Sequence, residues 1–152
     1  ALYCSQYAVR MTDRKLAIET WESLFRAQHQ LFGEMAADFE DAAVTQAEYD
    51  VLLTVTRAPD MTARLRDVTA NMLISQPSVS RLVDRMVTRG LIAKCPDPDD
   101  GRGAVVRATD AGAKAFRSLA TVHARSIAEC MSSLDDEELR TLRDLTEKLR
   151  RA

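Results

Sequence analysis

Between residues 75 and 85 the chain holds seven side chains that donate or accept hydrogen bonds without being buried by pattern: Ser75, Gln76, Ser78, Ser80, Arg81, Asp84 and Arg85. Interleaved with them, Val79, Leu82, Val83 and Met86 recur at the i, i+3, i+4, i+7 spacing of a helix. The spacing predicts a helix over 76–89 with a narrow apolar underside. Its outward face carries Gln76, Ser78, Arg81 and Arg85, with Ser80 at the edge. Ser75 is the expected N-cap and Gly90 the C-terminal stop. Pro77 is tolerated in the first turn, where its missing N–H would have no partner. Small residues at the start allow close approach to a surface. A carboxamide suits the paired donor and acceptor of an adenine edge, and a guanidinium suits guanine or phosphate. Gln76 and Arg81 are therefore candidates for base edges, Ser75 and Ser78 for phosphate or short base contacts, and Arg85 for phosphate farther along. A duplex major groove, about 12 Å wide, admits one such helix.

Other elements must hold this helix in place. Residues 12–40 read as one long amphipathic helix, with Leu16, Trp21, Leu24, Phe25, Leu31, Phe32, Met35 and Phe39 mostly three or four apart. Its apolar stripe calls for cover, from the same chain or from a second copy. Thr45 and Glu48 form a capping box that opens a helix bearing Tyr49, Leu52 and Leu53, and Pro59 ends it. A shorter helix is expected near 66–72. Two helices joined by a turn, the second with a basic outer face, make a helix-turn-helix. After Gly90 the period changes. Residues 91–95 and 104–108 are strand candidates, and the turn formers of 96–103 make a long polar hairpin tip whose cation is Arg102. Arg102 could reach an adjacent minor groove, where the negative potential attracts arginine. Thr109 caps a further helix to about 131. Ser133 is expected to cap a last one, with Leu139, Leu142, Leu145 and Leu149 as its stripe.

The chain has 152 residues and a formal net charge of -2, a total that by itself argues against a polyanionic partner. The distribution argues otherwise. Residues 64–107 carry eight basic side chains, Arg64 among them, against five acidic ones. With 46% apolar and 5% aromatic residues, 5 Gly and 4 Pro, the composition fits long helices around an aliphatic core. Residues 1–10 have neither a basic leader nor an apolar stretch of signal-peptide length, and no segment reads as a membrane span, so a cytoplasmic location is expected. Cys4, Cys95 and Cys130 imply no disulfide framework. His29 and His123 are far apart, and no metal-ligand spacing is present. No nucleophile-base-acid group or phosphate-binding glycine loop supports an enzyme, a catalytic residue or a cofactor.

Taken together, residues 64–112 resemble the MarR (multiple antibiotic resistance regulator) family, and the order of elements does so over nearly the whole chain. The residues that carry the likeness are Ile74 to Met86 (ISQPSVSRLVDRM), Arg89-Gly90-Leu91-Ile92, the wing DPDDGR from Asp97 to Arg102, and Thr109-Asp110-Ala111-Gly112. The resemblance implies a mainly α fold: a winged helix-turn-helix at 45–109 with a short β-hairpin wing, an N-terminal dimerisation helix within 1–44 and C-terminal dimerisation helices within 110–152. It implies a homodimer on a palindromic operator in double-stranded DNA, with recognition helices roughly 34–36 Å apart. Further implications are repression, release by a small lipophilic or phenolic effector, a pocket to which Trp21, Phe25 and Tyr49 are candidates, and Asp100 supporting the wing. Two positions depart from the pattern. Leu73 stands at a turn position where Gly is usual, calling for strain or a wider turn, and Thr69 replaces a small Ala.

A solvated basic face would explain Arg81 and Arg85 alone. It does not explain them together with the serines, Arg102 and the element order. Asp84 reads as a structural partner for the wing or a neighbouring arginine. A winged helix that binds protein would keep the apolar underside and lose the outward cations, which are present. None of the cysteines stands at the position of the family's oxidant sensors, so redox sensing is not expected.

Overall fold

The structure, a computed structural model, describes residues 13–73 and 78–151. It has six α-helices: α1 (Arg14–Met35), α2 (Gln46–Arg57), α3 (Leu65–Asn71), α4 (Val79–Thr88), α5 (Asp110–Cys130) and α6 (Asp136–Arg150). Three strands, β1 (Thr62–Arg64), β2 (Ile92–Asp97) and β3 (Asp100–Ala108), form an antiparallel sheet in the order β1-β3-β2. The chain divides into two compact units, Ala1–Glu34 and Met35–Ala152.

Among the described residues, the first unit consists of Asp13 and α1 as far as Glu34. Asp13 begins it, its Oδ1 accepting from the backbone N–H of Lys15 at 2.9 Å. No residue of α1 is buried, and Leu16, Trp21 and Phe25 of its apolar stripe are more than half exposed. The long helix expected over 12–40 stops at Met35, and a 3₁₀ turn follows at Ala36–Phe39. That tighter turn carries Asp38, which is held by two side chains of α5: His123 Nδ1 donates to Oδ2 at 2.7 Å and Ser126 Oγ to Oδ1 at 2.8 Å. A tertiary pair overrides helical propensity here.

In the second unit the core is aliphatic, as the composition implied. Val51, Leu52 and Val55 of α2, Val68 of α3, Leu82, Val83 and Met86 of α4, Ile92 and Val106 of the sheet and Leu119 of α5 are buried together. The α4 stripe thus points inward as its spacing predicts. The capping box at Thr45 and Glu48 forms, and Gly90 leaves α4 with φ +72. Thr109 caps α5, accepting from Gly112 N–H at 3.1 Å while its hydroxyl donates to the Gly90 carbonyl at 2.6 Å. Gly112 packs so tightly on β2's approach that a Cβ there would lie 1.9 Å from the Leu91 carbonyl oxygen.

Several local expectations are corrected. β1 is a third strand that the pattern did not reveal; it pairs Thr62 with Arg107 and Arg64 with Val105. The hairpin has a short tip: pairing continues to Asp97 and Asp100, leaving Pro98 and Asp99 as the turn. Pro96 is accommodated because β2 is an edge strand, where a missing donor costs no ladder bond. α4 starts at Val79 with Ser78 as its cap, whose Oγ accepts from Arg81 N–H at 3.4 Å. Ser78 is non-helical (φ -150), so no unbroken helix runs from 76. Ser75, Gln76 and Pro77 lie outside the described residues, as does Cys4. α6 is capped by Asp135, not Ser133: Asp135 Oδ1 accepts from Glu137 and Glu138 N–H at 2.8 and 2.9 Å, and Glu138 reciprocates. Leu73 shows no left-handed strain. The non-glycine residues at positive φ among those described are Asp60 (φ 53) and Met61 (φ 50), in the turn before β1.

Candidate nucleic-acid interface

The turn after α3 and the end of α4 are held by two buried carboxylates of α2. Asp50, 3% exposed, accepts through Oδ2 from the backbone N–H of Leu73 at 2.6 Å, fixing the turn that leaves α3. Glu48, 4% exposed, accepts through Oε2 from Arg89 Nη1 at the other end of α4 and from Thr45 N–H at 2.9 Å. Burial alone would push the Glu48 carboxyl up. The hydrogen bonds from Arg89 and Thr45, with the arginine's charge, outweigh it and hold the group below its ordinary range. The sequence marks Glu48 only as half of a capping box, and Asp50 not at all. Their partners lie 41 and 23 residues away, beyond any local pattern.

Opposite the apolar underside of α4, Ser80, Arg81 and Arg85 are exposed. Neither arginine makes an ion pair among the described residues. Asp84 pairs with Lys94 of β2 at 2.9 Å, so it serves the wing strand, as its reading as a wing partner anticipated. Ser78 uses its oxygen as the α4 cap, which leaves its hydroxyl proton free to donate outward.

The wing is built around Asp97, a buried side chain that sequence reading left among generic turn formers. Its Oδ1 accepts from Asp99 N–H at 3.0 Å and its Oδ2 pairs with Arg64 Nε at 3.0 Å; Arg64 Nη2 reaches Asp99 at 3.0 Å. Arg64, expected on nucleic acid, is thus occupied in bracing the hairpin. Asp100 Oδ1 accepts from the backbone N–H of Arg102 at 3.1 Å. The Arg102 side chain is exposed on β3 and makes no ion pair among the described residues.

The three residues expected to line an effector pocket fall in different units. Trp21 and Phe25 belong to α1, where their rings stack with centroids 5.1 Å apart. Tyr49 is buried in the second unit, stacked on Phe116 at 5.0 Å and edge-on to Phe39 and His123. Burial pushes its phenol up, with Arg57 opposing weakly. Beside this cluster a groove of about 680 Å³ opens between residues 37–43 and α5, lined by Ala37, Asp38, Ala42, Ala43, Ala115, Ser118 and Leu119 among others. At its edge Asp38 is lowered: burial would raise it, but hydrogen bonds from His123 and Ser126 prevail. No cluster of three or more potential metal ligands occurs among the described residues. Nor is any described helix long and apolar enough to cross a membrane.

A buried helix underside, an outward cationic face and a three-stranded wing define a winged helix-turn-helix protein. The comparisons with known proteins specify it further. The MarR family profile matches residues 44–103. Over 135 residues the chain is 24% identical to the HTH-type transcriptional regulator YkoM of Bacillus subtilis strain 168, covering 86% of each. Its fold matches Sco3205, a MarR family transcriptional regulator from Streptomyces coelicolor solved in complex with DNA (TM-score 0.76, 21% identity, 86% of this chain and 83% of that one). It also matches BpsR of Bordetella bronchiseptica, whose DNA binding is regulated by 6-hydroxynicotinic acid (TM-score 0.74, 22% identity, 87% and 98%). The chain is thus similar to MarR family proteins: residues 44–103 match the family profile, and the fold is that of solved MarR family regulators.

Proposed function

We propose that this protein is a homodimeric transcriptional repressor that binds palindromic duplex DNA and releases it when a small effector is bound. The observation that carries the reading is the outward face of α4, where Arg81 and Arg85 have no ion-pair partner within the described chain while Leu82, Val83 and Met86 fix the helix from below. Residues 45–109 form the DNA-binding part. Ser75, Gln76, Ser78, Ser80 and Arg81 read the major groove, Arg85 takes phosphate, and Arg102 enters the adjacent minor groove. Arg64 acts by bracing the wing that presents Arg102, with phosphate contact as its second role. The DNA complex of Sco3205 supports DNA as the partner.

The exposed apolar stripes of α1 and of α6, where Leu142, Leu145 and Leu149 are uncovered, support dimerisation through the segments 1–44 and 110–152. Two copies related by a two-fold axis then require a two-fold site on DNA. Regulation of BpsR by 6-hydroxynicotinic acid supports a small aromatic or lipophilic effector here, with the groove between residues 37–43 and α5 as its site.

Fluorescence-anisotropy titration of labelled duplex at two salt concentrations tests the reading. Affinity is expected to fall steeply with salt, and a sequence selected from a random library is expected to bind far more tightly than random duplex. Absence of binding at low salt, or a monomer in sedimentation equilibrium at binding concentrations, rejects it in favour of a protein-binding winged helix.

A further inference from the structure

Arg81, Arg85 and Arg89 follow one another at intervals of four, a spacing that would line up three phosphate ligands along α4. The structure separates the third from the others. Arg89 is the C-cap of α4, and its guanidinium is turned to account inside the protein. Nη2 donates to the backbone carbonyl of Ala43 at 2.7 Å, and Nη1 pairs with the buried Glu48 carboxylate. Ala43 is itself a wall of the groove, in the segment that faces Ala115 and Ser118 of α5 across the opening. A single side chain therefore joins the rim of the groove to the end of the recognition helix.

Resting on the repressor reading above, we infer that Arg89 is the positioning residue through which the groove controls α4. The bond to Ala43 reads the place of a backbone atom, so an occupant that displaces 41–43 must either break it or carry Arg89 along. Breaking it leaves Arg89 on the buried Glu48 carboxylate, a pair costly to separate, so the end of α4 keeps one of its two ties and loosens; carrying Arg89 along moves the helix end itself. The other ties on α4 do not reach the groove. Lys94–Asp84 joins α4 to β2 across an exposed surface, and Asp50–Leu73 holds the preceding turn. Arg89 acts without touching DNA, which distinguishes it from Arg81 and Arg85.

The test uses four proteins: wild type, Ser118→Trp to fill the groove with an indole, Arg89→Gln, and the double variant. Two readouts are taken, operator affinity corrected for active fraction, and amide hydrogen exchange over residues 85–91 without DNA. Ser118→Trp is expected to weaken operator binding about ten-fold and to speed exchange at the end of α4, and to do neither when Arg89 is already glutamine. Arg89→Gln alone should weaken operator binding while leaving the salt slope unchanged, since no phosphate contact is lost. Arg89→Lys keeps the charge opposite Glu48 but cannot span both acceptors; it is expected to fold even if glutamine does not, and to lose the coupling. Effects of Ser118→Trp and Arg89→Gln that simply multiply, an unresponsive Ser118→Trp, or a salt slope reduced by about one in Arg89→Gln would each overturn the inference. Failure of the wild type to bind DNA rejects the repressor reading alone, because the exchange measurement still decides the coupling.

Discussion

The basic side chains around α4 divide into two regions that differ in what neutralises them. Beneath and behind the helix, Arg89 ends on Glu48, Lys94 on Asp84, and Arg64 on Asp97 and Asp99. On the outward face and the wing, Arg81, Arg85 and Arg102 meet no carboxylate among the described residues. A charge count over 64–107 treats both sets alike. Tertiary pairing decides which cations brace the domain and which remain available to an external anion. Losses in the first region should therefore lower stability, with any effect on binding indirect and without change in salt slope, and losses in the second should appear as binding alone.

The largest effect is expected from Arg89→Ala, which leaves the buried Glu48 carboxylate without its half-exposed cation; a loss of up to about 3 kcal/mol in stability, read by urea unfolding, follows from leaving a buried acceptor unpaired. Next comes Arg81→Ala, which should cost about 1–3 kcal/mol in operator binding if it meets a base edge and leave the unfolding midpoint where it was. A stability change equal to that of Arg89→Ala would erase the distinction between the two regions. Acid should act on the bracing region first. Glu48 and Asp38 are lowered in the folded protein, so their contribution is complete above the ordinary carboxylate range. It is lost as pH falls through their depressed folded values, because the unfolded chain takes up the protons more readily. Thermal melts stepped downward in pH should show this loss, and Glu48→Gln should shallow it. Arg102→Ala should reduce the slope of log affinity against log salt by about one, with a near-uniform loss across sequences. Lys94→Ala, breaking a partly exposed pair, is expected to cost less than about 1 kcal/mol in stability, and a larger figure would place Lys94 with Arg89.

The division was only half legible in the sequence. The α4 underside was readable because Leu82, Val83 and Met86 obey a period that a helix alone satisfies, and Gly90 and Thr109 mark its surroundings by local chemistry. Turn formers and apolar periods likewise marked the hairpin and the terminal helices, and family likeness supplied the roles expected of them. Pairings such as Arg64–Asp99, Arg89–Glu48 and His123–Asp38 join residues 35, 41 and 85 apart, and no window of local pattern contains them. The same physics moved two boundaries. Both Ser75 and Ser78 are good caps by type, yet the observed cap is Ser78. Asp97 and Asp99 look like loop residues until Arg64 draws them together, which shortens the hairpin tip to Pro98 and Asp99. β1, three residues long, has too few positions to show alternation.

The contact at Gly112 sets how such a molecule can move. The Leu91 oxygen that nearly occupies the missing Cβ also accepts from Thr109 N–H at 3.1 Å and from its hydroxyl at 3.0 Å. The foot of the hairpin and the first turn of α5 are in effect a joint with no slack. A tilt of α5 is therefore expected to swing the foot of the sheet with it, like an oar in its rowlock.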